Sequence, residues 1–136
     1  MEEAVEVTDV KVEPNECELT KELTVTIGFD IKSAIPEAFW ILRFVFDFSM
    51  KKQVVEMART EPKTYGIGKH IEKFHVDHLD ISKVKETTIL NMGLLSASFF
   101  SGKDESHPLL DVNMCTEISK KDGSEEYIRT ILNPLE

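Results

Sequence analysis

No apolar stretch in this 136-residue chain approaches the ~20 residues that a bilayer-spanning helix needs. The N-terminus, Met1-Glu2-Glu3-Ala4, lacks the basic start and apolar run of a secretory leader. Cysteine is scarce, and its two copies, Cys17 and Cys115, do not form a disulfide framework. Cys115 shares parity with Asp111, Asn113 and Glu117 on an expected outward face, and nothing places Cys17 opposite it. Both are expected as free thiols in an intracellular protein, cytoplasmic or nuclear, with no membrane contact. Positive charge is in deficit: 16 Lys and Arg against 25 Asp and Glu leave a net charge of −9. That balance argues against nucleic-acid backbones and anionic membranes as direct partners, and it permits a basic protein partner.

Catalytic signatures are missing as well. The chain holds no glycine-rich phosphate loop, no G-x-S-x-G elbow and no paired-cysteine zinc motif. One cluster invites attention: His70, His75, Asp77 and His78. On a strand His75 and Asp77 share a face, while His78 points the other way or lies beyond the strand end. Completing a zinc site would require the distant His107, so these read as surface or edge histidines. No Ser–His–Asp arrangement can be assembled, and Glu56 with Glu61 reads as a solvated pair. The expectation is a protein without catalytic residues, metal or cofactor.

What the chain does contain is alternation. Leu23, Val25, Ile27, Phe29 and Ile31 interleave with Thr24, Thr26, Gly28 and Asp30. Trp40, Leu42, Phe44, Phe46 and Phe48 interleave with Ile41, Arg43, Val45 and Asp47. A period of two places each apolar set on one face of a strand. Ile27 and Trp40 are 13 positions apart, the approximate spacing of the inner B-strand residue and core Trp in immunoglobulin-like sandwiches. Strands are expected at about 4–13, 19–32, 38–50, 52–59, 68–77, 86–101 and 109–119, separated by turn signals such as Pro14-Asn15, Ile35-Pro36 and Ser101-Gly102-Lys103. In the first strand Val5 and Val7 change parity to Val10 and Val12, as at a bulge where a strand crosses between sheets. Residues 79–86 suit a helical turn, and residues 124–132 suit either a short helix or an extended segment. The expected fold is all-β: one domain over residues 1–136, an immunoglobulin-like antiparallel β-sandwich of about seven strands.

The surface shows one anomaly. In residues 86–101, Leu90, Met92 and Leu94 alternate as an inward set, with Phe100 in step. The opposite parity, expected outward, reads Ile89, Asn91, Gly93, Leu95, Ala97 and Phe99, and the outward parity of residues 38–50 carries Ile41 and Val45. Neighbouring strands of this kind would form a partly apolar outer patch, which marks a docking surface. The alternative is that the tail, with Tyr127, Ile128, Ile131 and Leu132, folds back and covers it.

These residues resemble a known family. The chain is similar to the anti-silencing function histone chaperones over roughly residues 5–119. The resemblance rests on Val5-Glu6-Val7-Thr8-Asp9-Val10, Phe39-Trp40-Ile41-Leu42, Gln53-Val54-Val55, Gly68-Lys69-His70-Ile71 with Phe74 and Asp77, and residues 94–100 ending at Ser101-Gly102-Lys103. It implies a small immunoglobulin-like sandwich that binds a histone dimer through the outer face of one sheet. Of the family's contact positions, Val45 falls on a matching valine. Lys52 and Thr87 take positions expected to be acidic, Gly93 replaces a central aliphatic, Asp111 stands for arginine and Cys115 for an aromatic. Opposed charge at Lys52 and Asp111 would deprive a basic histone helix of its partner groups.

Two functions follow as expectations. One is a non-catalytic interaction module, monomeric in isolation, that docks a non-histone protein such as a cytoskeletal assembly component. The other is a histone chaperone. In either case Val45, Lys52, Thr87, Gly93, Leu95, Phe99 and Asp111 are the expected protein-binding residues.

Overall fold

The computed structural model describes residues 5–48, 51–79, 91–102, 108–120 and 127–133. Ten strands follow one another: β1 (Val5–Glu13), β2 (Cys17–Glu18), β3 (Leu23–Ile31), β4 (Ile35–Phe48), β5 (Lys51–Arg59), β6 (Lys63–Tyr65), β7 (Gly68–Val76), β8 (Asn91–Ser101), β9 (Leu110–Lys120) and β10 (Tyr127–Ile131). They build two antiparallel sheets, one of three strands in the order β1-β3-β7, the other of seven in the order β2-β10-β9-β8-β4-β5 with β6 paired to β4. The fold is an all-β sandwich. Among the described residues no helix is long and apolar enough to cross a membrane.

The alternating sequences explain the packing. β3 turns Leu23, Val25, Ile27, Phe29 and Ile31 inward, all essentially inaccessible to water. β4 answers with Trp40, Leu42, Phe44 and Phe46, also fully buried. Phe29 meets Trp40 edge-on at 5.3 Å between ring centroids, and Trp40 meets Phe99 of β8 at 4.8 Å. Aromatic pairs at these distances add to the burial of their large apolar surfaces. β9 supplies Val112, Met114 and Ile118 to the same core.

The parity change in β1 is a bulge, with the register against β3 shifting between Val7 and Asp9. It does not carry the strand into the other sheet, because β1 pairs with β3 on both sides of the shift. Opposite the bulge stands Gly28, where a Cβ would come within 3.2 Å of Thr8 Oγ1 and 3.3 Å of Asp9 Cβ. Ile35-Pro36, expected as a turn, instead opens β4, whose pairing to β6 is irregular between Ile35 and Ala38. Between the expected strands at 52–59 and 68–77 the chain forms the short strand β6. Residues 80–86 of the expected helical turn lie outside the described residues.

The tail is extended. β10 adds to the sheet beside β9 and buries Ile131, so it does not fold back over the sheet's outer face. Its Arg129 is fully buried and ties down the crossover between β1 and β3. Nη1 donates to the carbonyls of Leu19 at 3.0 Å and Lys21 at 2.9 Å. Nη2 donates to those of Pro14 at 3.3 Å and Glu22 at 2.6 Å. Burial pulls the guanidinium below its usual pKa, and the neighbouring Cys17 acts in the opposite direction.

Candidate functional site

The outer face of the seven-stranded sheet is set by strand register. Val45 of β4 stands opposite Val54 of β5 on one side and Leu94 of β8 on the other. Leu94 in turn stands opposite Cys115 of β9. Just beyond, the Leu132 N–H donates to the Cys115 carbonyl at 2.8 Å. An apolar row therefore crosses the sheet at right angles to its strands, with Val54 56% and Leu132 48% exposed and Cys115 also exposed. Val45, Val54 and Leu94 line a shallow depression of about 470 Å3, together with Arg43, Ser96, Ser98, Phe100, Pro108, Asp111 and Asn113.

Polar groups flank the row. Ser96 Oγ–H donates to Asn113 Oδ1 at 3.0 Å, and Ser98 Oγ–H donates to Asp111 Oδ1 at 2.5 Å. Arg59 donates to Glu56 at 2.8 Å. That hydrogen bond holds the Glu56 carboxyl below its usual pKa, against an opposing pull from partial burial. A small apolar cluster of Phe39, Ile41 and Phe100 closes one end of the face. Its rings stack at 5.4 Å, with Arg43 over Phe100 and Arg59 over Phe39. Ile41 is on the outward parity as expected, yet this cover buries it completely.

The expected binding residues divide sharply. Val45 and Asp111 lie on this face. Leu95 and Phe99 do not: both are fully buried, and with Ala97 they form the inward set of β8. Gly93 shares their parity, and a Cβ there would meet Phe44 Cε1 at 2.6 Å, so its lack of a side chain makes room for a core ring. Leu94, expected in the core, is half-buried on the outer face instead. Lys52 of β5 stands opposite Asp47 of β4, but its side chain lies outside the described residues, as does the whole of Thr87.

The physical reason is that both parities of β8 are rich in apolar residues, so alternation alone did not say which faces in. Two signals point the right way. Ser96 and Ser98 mark the solvated parity, and β9 pairs Val112 with Ala97 and Met114 with Leu95 across the sheet. Cross-strand partners share a face, so the unambiguous β9 pattern orients β8. For this reason the pattern of β8 hid Leu94, Ser96 and Ser98, whereas Val54 and Asn113 lie on the neighbouring strands β5 and β9, and only the strand order brings them onto the same face.

The histidines are scattered. His70 stacks on Phe29 at 5.5 Å, and its Nε2 lies 2.8 Å from the Gly66 carbonyl. His75 sits 3.2 Å from Asp77 and 4.0 Å from Glu22, with Thr24 Oγ1 at 2.8 Å from Nδ1. Among the described residues, no group of three or more His, Cys, Asp or Glu side chains is placed to hold a metal ion. Cys17 and Cys115 are free.

The chain matches no known family and no curated protein.

Proposed function

We propose that this chain is a non-catalytic protein-interaction module that docks a protein partner through the outer face of the seven-stranded sheet. The observation that carries this reading is the apolar row Val54–Val45–Leu94–Cys115, lying at the surface where an isolated sheet would carry polar side chains. A row of this kind offers burial at its centre, while Arg43, Glu56, Asp111 and Asn113 around it discriminate among partners. The test is affinity purification from lysate with wild type and Leu94→Asp. Leu94 is half-buried on the outer face, so the variant should fold. It should bind its identified partner about 100-fold more weakly, because a charge would be buried unpaired in the complex. A folded Leu94→Asp that binds as tightly as wild type would place the docking site elsewhere.

A second reading, a chaperone for a core histone dimer, is favoured by one observation. The aliphatic residue beside Val45 on the face is Leu94 rather than Gly93, which removes one departure from the histone-chaperone pattern. The acidic balance of the chain suits a basic partner. Binding to purified core histones that weakens with salt and is lost in Val45→Asp would support it. Indifference to histones with retained capture of another protein would exclude it.

A further inference from the structure

We propose that this outer face is self-complementary and joins two copies of the chain in a two-fold dimer, a state that docking of another protein would displace. The inference rests on the reading of the face as a docking surface and names a second copy as one occupant. The strands run β5-β4-β8-β9 across it. A two-fold axis parallel to the strands and midway between β4 and β8 exchanges β4 with the second copy's β8, and β5 with its β9.

The register makes that exchange productive. In the apolar row, Val45 faces the second copy's Leu94, and Val54 faces its Cys115, because Val45 pairs with both Val54 and Leu94, and Leu94 with Cys115. In the row four residues further along β8, past the row of Arg43, Ser96 and Asn113, Arg59 pairs with Ile41, Ile41 with Ser98 and Ser98 with Asp111. The axis therefore sets Arg59 against the second copy's Asp111, and symmetry makes the contact twice. Arg59 and Asp111 both lie on the outer face: Arg59 reaches over the Phe39 ring, and Asp111 bonds Ser98 through one carboxylate oxygen. A guanidinium is a multidentate donor, so a contact to Asp111 of the second copy adds to the contacts Arg59 already makes, the one to Glu56 among them. Two twisted sheets stack face to face with their strands nearly aligned, which keeps these rows in step near the axis.

The contact is small. Four strands at ~4.8 Å and three side-chain rows at ~6.8 Å cover roughly 400 Å2 per copy, about half of a standard interface. Association is accordingly weak, with a dissociation constant on the order of 100 μM.

Sedimentation equilibrium of the whole chain, from about 10 μM to about 1 mM, tests the proposal. Wild type should pass from monomer to dimer across that range. Arg59→Glu alone and Asp111→Arg alone should each weaken association at least about tenfold, since like charges then face each other twice. An equimolar mixture of the two variants should recover association to within about threefold of wild type, because each supplies the charge the other lacks. A wild type that stays monomeric at ~1 mM, or a mixture no tighter than its components, overturns the dimer. Partner capture through Leu94 by a monomeric wild type removes only the dimer. A charge-swapped dimer with capture indifferent to Leu94→Asp upholds the dimer and removes only the partner reading.

Discussion

Replacing Arg129 by Met should destabilise the chain by about 3–5 kcal/mol, the balance between the charge-assisted hydrogen bonds lost and the cost of burying a cation removed. The side chain is fully buried and donates four hydrogen bonds, all to carbonyls of residues 14–22. Hydrogen bonds from a charged donor contribute about 1.5–3 kcal/mol each, so the gross interaction is of order 6–12 kcal/mol. Burying the cation offsets several kcal/mol of that. Met removes both terms and fills most of the volume, but it leaves the carbonyls to be satisfied by water. Those of Lys21, Pro14 and Glu22 are only partly buried and can recruit it, whereas the bond to Leu19 lies in a fully buried setting. Arg129→Lys keeps the charge on a single nitrogen that cannot span four acceptors, and should lose about 2 kcal/mol. Urea unfolding at neutral pH measures both variants. With a slope of about 1.5 kcal/mol per molar, the Met variant's midpoint should fall by about 2–3 M with the slope unchanged. A loss under about 1 kcal/mol for Met, or a Lys variant as stable as wild type, would refute the idea that this fan of hydrogen bonds holds the crossover.

Leu95→Asp should unfold the protein, while its neighbour Leu94→Asp should fold. Leu95 is fully buried, and an unpaired core carboxylate adds to a loss of about 2–5 kcal/mol from the missing side chain, most of a typical domain's stability. A native far-UV and near-UV circular dichroism spectrum for Leu95→Asp would contradict the β8 register. Burial in the core, followed by the negative charge of Glu72, pushes the Tyr65 phenol up to about 12. The unfolded chain ionises this group near its ordinary value of about 10. The associated stability is therefore complete below pH ~10 and is lost progressively as pH rises from there through the folded value. In Tyr127→Phe, where Tyr65 is the sole tyrosine, absorbance at 295 nm should show ionisation near pH ~12 in the folded protein. A midpoint near 10 with the fold intact would refute its burial.

By itself the sequence determined the class of fold, most strand positions and most of the core. A period of two is a local property, so Ile27, Phe29, Trp40, Leu42, Phe44 and Val112 could be assigned to the interior before any contact was known, and all six are buried. The β1 bulge was legible for the same reason, as a break in that period. What only the tertiary structure decided was orientation wherever both parities are apolar. Leu94 and Leu95 are chemically identical, and their opposite fates follow from pairing with Cys115 and Met114 across the sheet. Since one residue of register exchanges the faces of a strand, that single ambiguity moved Gly93, Leu95 and Phe99 from the expected surface into the core and brought Leu94 out beside Val45. The burial of Arg129 was likewise invisible locally. A charged residue near the chain's end reads as solvated until strand β10 delivers it to the carbonyls of a crossover more than a hundred residues away in sequence, a contact that only the folded chain creates.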